Sequence, residues 1–151
     1  PENDIPPTLA EQVNDREEIR QRFTCILNAA KPFFKVVGKE PSKHIARGLF
    51  LGTTKPRSGL LTYNDIEQSL RITIQLQLAQ ICSLEQLISL MRVQASTQAA
   101  RIGVQPEDGT LALEAWSFGV DPKNAASVLA LLAANLSQAL ADDRLGAMLK
   151  S

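Results

Sequence analysis

The sequence contains few of the residue types from which common functional sites are built. Its 151 residues include two cysteines and a single histidine. This composition excludes a disulfide-stapled secreted scaffold and a metal site built on several imidazoles. Cys25 and Cys82 lie in apolar segments, so we expect two small buried side chains in a reducing compartment, with a disulfide or a reactive thiol as the alternative.

Long apolar runs are also missing. No stretch reaches the roughly 18 apolar residues that a membrane-spanning helix requires, and no signal peptide opens the chain. Eight glycines and eight prolines are too few to indicate a fibrous or disordered protein of this length. These absences predict a soluble, folded, cytoplasmic protein that does not enter a membrane.

The sequence contains several start signals for helices. A Ser, Thr or Asn followed three residues later by Glu or Gln forms a capping box, and apolar side chains then recur at helical spacing. The three such pairs are Thr8 with Glu11, Asn64 with Glu67, and Ser83 with Gln86. Ser42 and Asp121 are further candidate caps. Together these signals predict helices over residues 8–30, 42–49, 64–81, 83–102 and 125–141.

These helices predict a mainly α fold, a compact helical bundle of about five to seven helices. We expect a small β-hairpin near residues 49–61 as an addition, a disordered lead-in over residues 1–7, and a single helical domain over 8–151. Residues 72–78 also alternate apolar and polar side chains as a strand does, and residues 111–117 fit either a helix or a strand. An α+β fold is therefore the alternative.

Positive charge is concentrated in one segment although the net charge is zero. Residues 31–57 hold seven cations and one acid, and Phe33, Phe34 and Phe50 lie among them. Such a segment is suited to an acidic protein surface, or to RNA or DNA phosphates with an aromatic side chain stacked on a base. The candidate contact residues are Lys31, Lys35, Lys39, Lys43, His44, Arg47, Lys55 and Arg57.

Charge is almost absent from two other segments. Glu85 is the only charged residue between Ile72 and Met91, and residues 124–141 contain none. A surface helix normally keeps a charged outer face, so these segments are either central to the domain or covered by a protein partner or a second copy. The candidate interface residues are Leu76, Gln77, Gln80, Ala126, Ala130 and Ala134.

Catalytic motifs are not recognisable in this sequence. His44 has no sequence neighbours that identify a triad, and the loop over residues 52–59 does not have the order of a phosphate-binding Walker loop. Adjacent carboxylates such as Glu17 and Glu18 point in different directions on a helix, so they are poor acid and base partners. We predict no catalytic residue, no metal ligand and no cofactor.

The combined pattern predicts a non-enzymatic protein–protein interaction or assembly domain. It would self-associate or dock a partner through its low-charge helices and present residues 31–57 to an acidic partner or a nucleoprotein. One alternative is a domain that binds nucleic acid without sequence preference. A second alternative is an enzyme whose site is assembled from residues distant in sequence.

Overall fold

The computed structural model describes residues 9–79, 83–97, 99–104 and 110–150, and these form an antiparallel sheet with helices. The sheet has six strands in the order β1-β2-β3-β4-β6-β5. The strands are β1 (Phe34–Glu40), β2 (Ile45–Phe50), β3 (Arg57–Asn64), β4 (Ser69–Leu76), β5 (Arg101–Val104) and β6 (Leu111–Ser117). The helices are α1 (Leu9–Ala30), α2 (Leu84–Ser96), α3 (Ala125–Leu140) and α4 (Asp143–Met148).

The fold is therefore α+β, and the prediction of a mainly α bundle is wrong. The largest error lies at residues 64–81, where β4 replaces the predicted helix. Asn64 does act as a local cap, because its side-chain oxygen accepts hydrogen bonds from the backbone N–H groups of Ile66 at 3.0 Å and Glu67 at 3.1 Å. Those bonds form the turn between β3 and β4. The alternation over residues 72–78 was the correct signal.

The predicted helix over residues 42–49 is also replaced by strand. A short 3₁₀ turn over Pro41–Lys43 ends at His44, whose φ of 53° is left-handed, and β2 follows directly. The hairpin predicted near residues 49–61 is present but larger, since β2 pairs with β3 from Phe50 opposite Arg57 to Ile45 opposite Thr62. Residues 101–104, predicted as the end of a helix, form β5.

Three predicted helices are confirmed. The structure has α1 and α3 close to the predicted bounds, and α2 begins as predicted but ends at Ser96, six residues before the predicted end. The capping box at α2 forms as predicted: Gln86 N–H donates to the Ser83 hydroxyl at 3.3 Å, and Ser83 N–H donates to the Gln86 side chain at 2.9 Å. Asn124, not Asp121, is the residue that precedes α3.

The core lies between one face of the sheet and the helices. Leu61, Ile72 and Ala115 are directly opposite one another on β3, β4 and β6, and all three are fully buried. The helix α3 packs on β6, and α1 packs on α3. Cys25 lies on the exposed side of α1, so the expectation that it is buried is wrong. Cys82 lies outside the described residues.

Gly48 allows β1 and β2 to approach closely. A methyl group built at its Cα would collide with the backbone carbonyl of Lys35 and would lie 2.9 Å from a ring carbon of Phe34. The ring of Phe34 is buried in the core. The absence of a side chain at residue 48 therefore lets an aromatic ring fill the start of the sheet.

Candidate functional site

An apolar stripe runs along the outer face of α2. Four of its side chains are exposed to solvent: Leu84 by 73%, Leu87 by 48%, Ile88 by 43% and Met91 by 71%. Their spacing of i, i+3, i+4 and i+7 places them on one side of the helix. We call these four residues the α2 stripe. A face of this kind normally packs against another element, so its exposure makes it a candidate docking surface.

The opposite side of α2 is held firmly by the domain. Leu90 and Val93 are buried in the core cluster, and α2 packs against α4. The Gln94 side-chain oxygen accepts a hydrogen bond of 2.5 Å from the backbone N–H of Ile102 in β5. These contacts fix the rotation of the helix about its axis. The stripe therefore projects from a stable surface.

Two charged residues flank the α2 stripe. Glu85 and Arg92 are both exposed, and seven residues separate them. At 100° per residue they lie on nearly the same side of the helix, next to the stripe. The other flank carries no charge, and its Gln94 side chain is turned toward β5, where it bonds to Ile102. The face is thus apolar along its centre, with a negative and a positive charge along one edge.

The predicted interface residues occupy different places in the structure. Ala126, Ala130 and Ala134 lie on the exposed side of α3, where Leu131 is 60% exposed. Leu76 is buried in the core of the single chain, so no partner is needed to cover it. Gln77 is exposed just after β4, and Gln80 lies outside the described residues.

The fold disperses the basic segment over several surfaces. Lys31 is exposed after α1, Lys35 is exposed on β1, and Lys39 lies at a groove against α1. Lys43 and Arg47 both approach Glu40, with N···O distances of 3.6 Å and 4.0 Å. The predicted cations therefore do not form one continuous patch, because strands and turns aim successive side chains in different directions.

His44 belongs to an aromatic cluster. Its ring centroid lies 5.5 Å from that of Phe23 on α1 and 6.4 Å from that of Tyr63 on β3. This packing joins the β1–β2 turn to α1 and the core. Among the described residues, no group of three or more His, Cys, Asp or Glu side chains is arranged to hold a metal ion.

An arginine–tryptophan cluster lies on the sheet face opposite the core. Trp116, 37% exposed on β6, has the Arg71 guanidinium carbon 5.9 Å and the Arg101 guanidinium carbon 5.1 Å from its ring centroid. Arg101 also forms an ion pair of 3.3 Å with Glu114. Sequence reasoning did not identify this cluster. The signal that identifies it is strand pairing, which sets Arg71 directly opposite Trp116.

A second set of cations meets near the loop between β2 and β3. Lys55 and Arg57, both predicted contact residues, line a pocket with Lys150 from the end of the chain. Lys150 was not predicted, because nothing near it in the sequence indicates that this segment folds back onto the sheet. Its position is set by a backbone hydrogen bond of 2.7 Å from its N–H to the carbonyl of Gln77.

Comparison with known proteins supports the fold. No protein-family model matches this chain, and no curated protein sequence matches it. The structure of YbjN from E. coli aligns over 85% of this chain and 94% of that chain with a TM-score of 0.56, at 10% identity. This likeness shows a shared α+β fold.

No described helix is long and apolar enough to cross a membrane.

Two further solved structures are weaker matches. A chain of the HopA1–SchA chaperone–effector complex aligns over 76% of this chain and 88% of that chain, with a TM-score of 0.47 at 8% identity. A chain of the ExoU–SpcU complex from the type III secretion system of Pseudomonas aeruginosa covers 58% of this chain and 74% of that chain, with a TM-score of 0.38 at 18% identity. Similarities of this strength establish neither fold nor function.

Proposed function

We propose that this protein is a non-enzymatic interaction domain that self-associates through the α2 stripe. The observation that supports this proposal is the exposure of four large apolar side chains on one face of a helix whose other face is fixed in the core. Covering this face by a second apolar surface removes it from water, at about 25 cal/mol per Å² buried. The stripe lies one element after the Leu76–Gln80 region in which the sequence predicts an interface.

The charges beside the stripe favour a second copy of the same chain as the occupant. When two helices pack antiparallel, residues on the same flank of each helix face one another across the contact. Glu85 of one protomer then meets Arg92 of the partner, and the reverse pair forms at the other end. The surface is therefore complementary to itself, as an interface with twofold symmetry requires.

The apolar residues fit the same arrangement. An antiparallel pair centred between Leu87 and Ile88 places Leu84 of one helix against Met91 of the other, and Leu87 against Ile88. In this register Glu85 and Arg92 are offset by about 3 Å along the helix axis, which the long arginine side chain can span. The central contact is thus apolar on both sides. Exposed ion pairs contribute only about 0–1 kcal/mol each, so we expect the stripe to supply the affinity and the charges to select the orientation.

The size of the stripe sets the expected strength of the contact. A standard stable interface buries about 800 Å² per partner, and one helix of 13 residues supplies only part of that area. We therefore expect a dimer with a dissociation constant in the micromolar range rather than an obligate one. Its population will depend on protein concentration.

Sedimentation velocity over a range of concentrations tests this proposal with two matched variants. Leu87→Asp places a charge in the α2 stripe, and Leu131→Asp makes the same change at an exposed leucine of α3. We expect the wild-type chain and Leu131→Asp to dimerise equally, and Leu87→Asp to remain monomeric. A wild-type chain that stays monomeric at about 100 µM, or a dimer lost only in Leu131→Asp, would refute self-association through α2.

A further inference from the structure

A small pocket beside the β2–β3 loop gathers two cations of that loop and a third from the end of the chain. Its volume is about 210 Å³. Among the residues that the structure describes, no acidic side chain lines it. The polar and charged side chains in its walls are Lys55, Arg57, Ser58, Gln75, Gln77 and Lys150.

The three cations of this pocket lie together without a carboxylate partner in the described part of the chain. Among the described residues, five other cations lie within 4.0 Å of a carboxylate, namely Arg22, Lys43, Arg47, Arg101 and Arg144. Within the described ranges, no such ion pair forms at Lys55, Arg57 or Lys150. Three like charges placed together raise the local positive potential, and an anion would relieve their repulsion.

Ordered backbone positions these three residues. Arg57 begins β3 and pairs with Phe50. The hydroxyl of Thr53 donates a hydrogen bond of 2.5 Å to the carbonyl of Lys55, which closes the loop. Lys150 is held by its backbone bond to Gln77, and the N–H of Ala79 donates to the carbonyl of Met148 at 3.0 Å. Lys55 and Arg57 are neighbours in the sequence, and the fold brings Lys150 to them.

We infer that this pocket binds a phosphoryl group. A phosphate monoester carries close to two negative charges and three terminal oxygens at neutral pH. The Arg57 guanidinium can donate two parallel hydrogen bonds to two of those oxygens, while Lys55 and Lys150 supply point charges. The amides of Gln75 and Gln77 add neutral donors. A carboxylate has one charge and two oxygens, so it accepts fewer hydrogen bonds from these side chains and neutralises less of their charge.

An adjoining groove provides space for the remainder of a phosphate ester. Its volume is about 390 Å³, and it shares Lys55 and Arg57 with the pocket. Its other walls include two residues of α3: Ser137, which supplies a hydroxyl, and Leu140, which supplies an apolar surface. A ligand with its phosphoryl group in the pocket therefore has a partly apolar path for its organic part. This site is separate from the α2 stripe and does not depend on self-association.

Isothermal titration with methyl phosphate, at constant ionic strength, tests the proposal. We expect saturable binding to the wild-type chain that Arg57→Gln and Lys150→Gln each weaken at least about tenfold. Lys123→Gln removes one charge from an exposed lysine outside the pocket and is the matched control. Circular dichroism checks that each variant is folded. If Arg57→Gln does not fold, Lys150→Gln still tests the proposal, because Lys150 is exposed.

The outcomes separate a site from a general charge effect. Absence of saturable binding, or an equal loss of affinity in Lys123→Gln, would overturn the proposal. A short single-stranded RNA titrated in parallel identifies the source of the phosphoryl group. Tighter binding of methyl phosphate supports a phosphate monoester. Tighter binding of RNA, lost in the same two variants, would instead show a phosphodiester backbone, which has one charge and two terminal oxygens per phosphate, and would overturn the monoester assignment.

Discussion

Glu85 and Arg92 lie on the same flank of α2, about two helical turns apart, beside the exposed apolar stripe. In a parallel pair of helices this flank would face the opposite flank of the partner, which carries Gln94. In an antiparallel pair the same flanks meet, and each Glu85 faces an Arg92. The order of two charges on one helix therefore selects the geometry of the proposed dimer.

Reversing one of these charges should weaken the dimer, and reversing both should restore it. Glu85→Arg and Arg92→Glu each replace two attractive pairs by two repulsive ones, so we expect each variant to raise the dimer dissociation constant about tenfold at low salt. The double variant recreates both pairs with opposite polarity and should return to the wild-type value. Light scattering at several concentrations measures this, and about 1 M salt should suppress all the differences.

Gly48→Ala should destabilise the sheet between β1 and β2. The added methyl group collides with the Lys35 carbonyl and crowds the Phe34 ring, so we expect a loss of about 1–3 kcal/mol in the free energy of unfolding. Gly103→Ala on β5 is the control, because nothing lies within 4 Å of a methyl group built there. Urea denaturation measures both. Equal stability of the two variants would contradict the predicted close approach.

Tyr63→Phe should lower stability without changing the fold. The buried Tyr63 hydroxyl donates a hydrogen bond of 2.8 Å to the Val120 carbonyl, which ties β3 to the segment before α3. Burial raises the pKa of Tyr63, and the nearby Asp65 carboxylate raises it further, so the phenol stays protonated as a donor. Removing the hydroxyl leaves the carbonyl without this bond, so we expect the free energy of unfolding to fall by about 1–2 kcal/mol, as measured by urea denaturation. Unchanged stability would contradict this role.

Asp142→Ala should destabilise the chain in a pH-dependent way. The Asp142 carboxylate caps α4 by accepting from the Arg144 N–H at 2.9 Å, and it also accepts from the guanidinium at 2.7 Å. The hydrogen bond from the Arg144 side chain holds the pKa of Asp142 below its ordinary value. We expect a loss of about 1 kcal/mol at neutral pH, typical of a lost N-cap.

The sign of the shift fixes the pH range of this effect. Since the pKa of Asp142 is lower in the folded chain than the roughly 3.9 of an unfolded one, the carboxylate stabilises the fold above about pH 4. That contribution is lost as the pH falls through the folded pKa. The stability difference between wild type and Asp142→Ala should therefore shrink on acidification. A difference that stays constant down to about pH 2 would show that ionisation of Asp142 is not involved.

Local signals predicted the helices of this fold better than its strands. Ser83 and Gln86 form a complete capping box, and an amphipathic helix follows. Asn64 and Glu67 have the same spacing, but the Asn64 side chain caps a hairpin turn instead. The difference arises from strand pairing with residues far along the chain, which a local pattern does not contain. The sheet was indicated only by the alternation within β4, by the hairpin signals near residues 49–61 and by the open choice between helix and strand over residues 111–117.

The candidate surfaces were predictable only in part. The scarcity of charge between Ile72 and Met91 predicted a segment that is central to the domain or covered by a partner. The structure divides this stretch between a buried strand and the exposed stripe of α2. The basic segment was visible as composition, yet strand alternation and turns distribute its side chains over different faces. Convergence of Lys55, Arg57 and Lys150 depends on a tertiary contact between the chain end and β4.

Disulfide trapping across α2 tests the proposed self-association most directly. One chain carries Leu84→Cys and another Met91→Cys, both with Cys25→Ser and Cys82→Ser. In the antiparallel dimer these two positions face each other, whereas the two copies of residue 84 lie about 10 Å apart along the helix axis. We predict a cross-linked species of about twice 16.5 kDa when the two chains are mixed and oxidised, and little from either chain alone. No cross-link in the mixture, or one that forms as readily from Leu84→Cys alone, would contradict the antiparallel α2 contact.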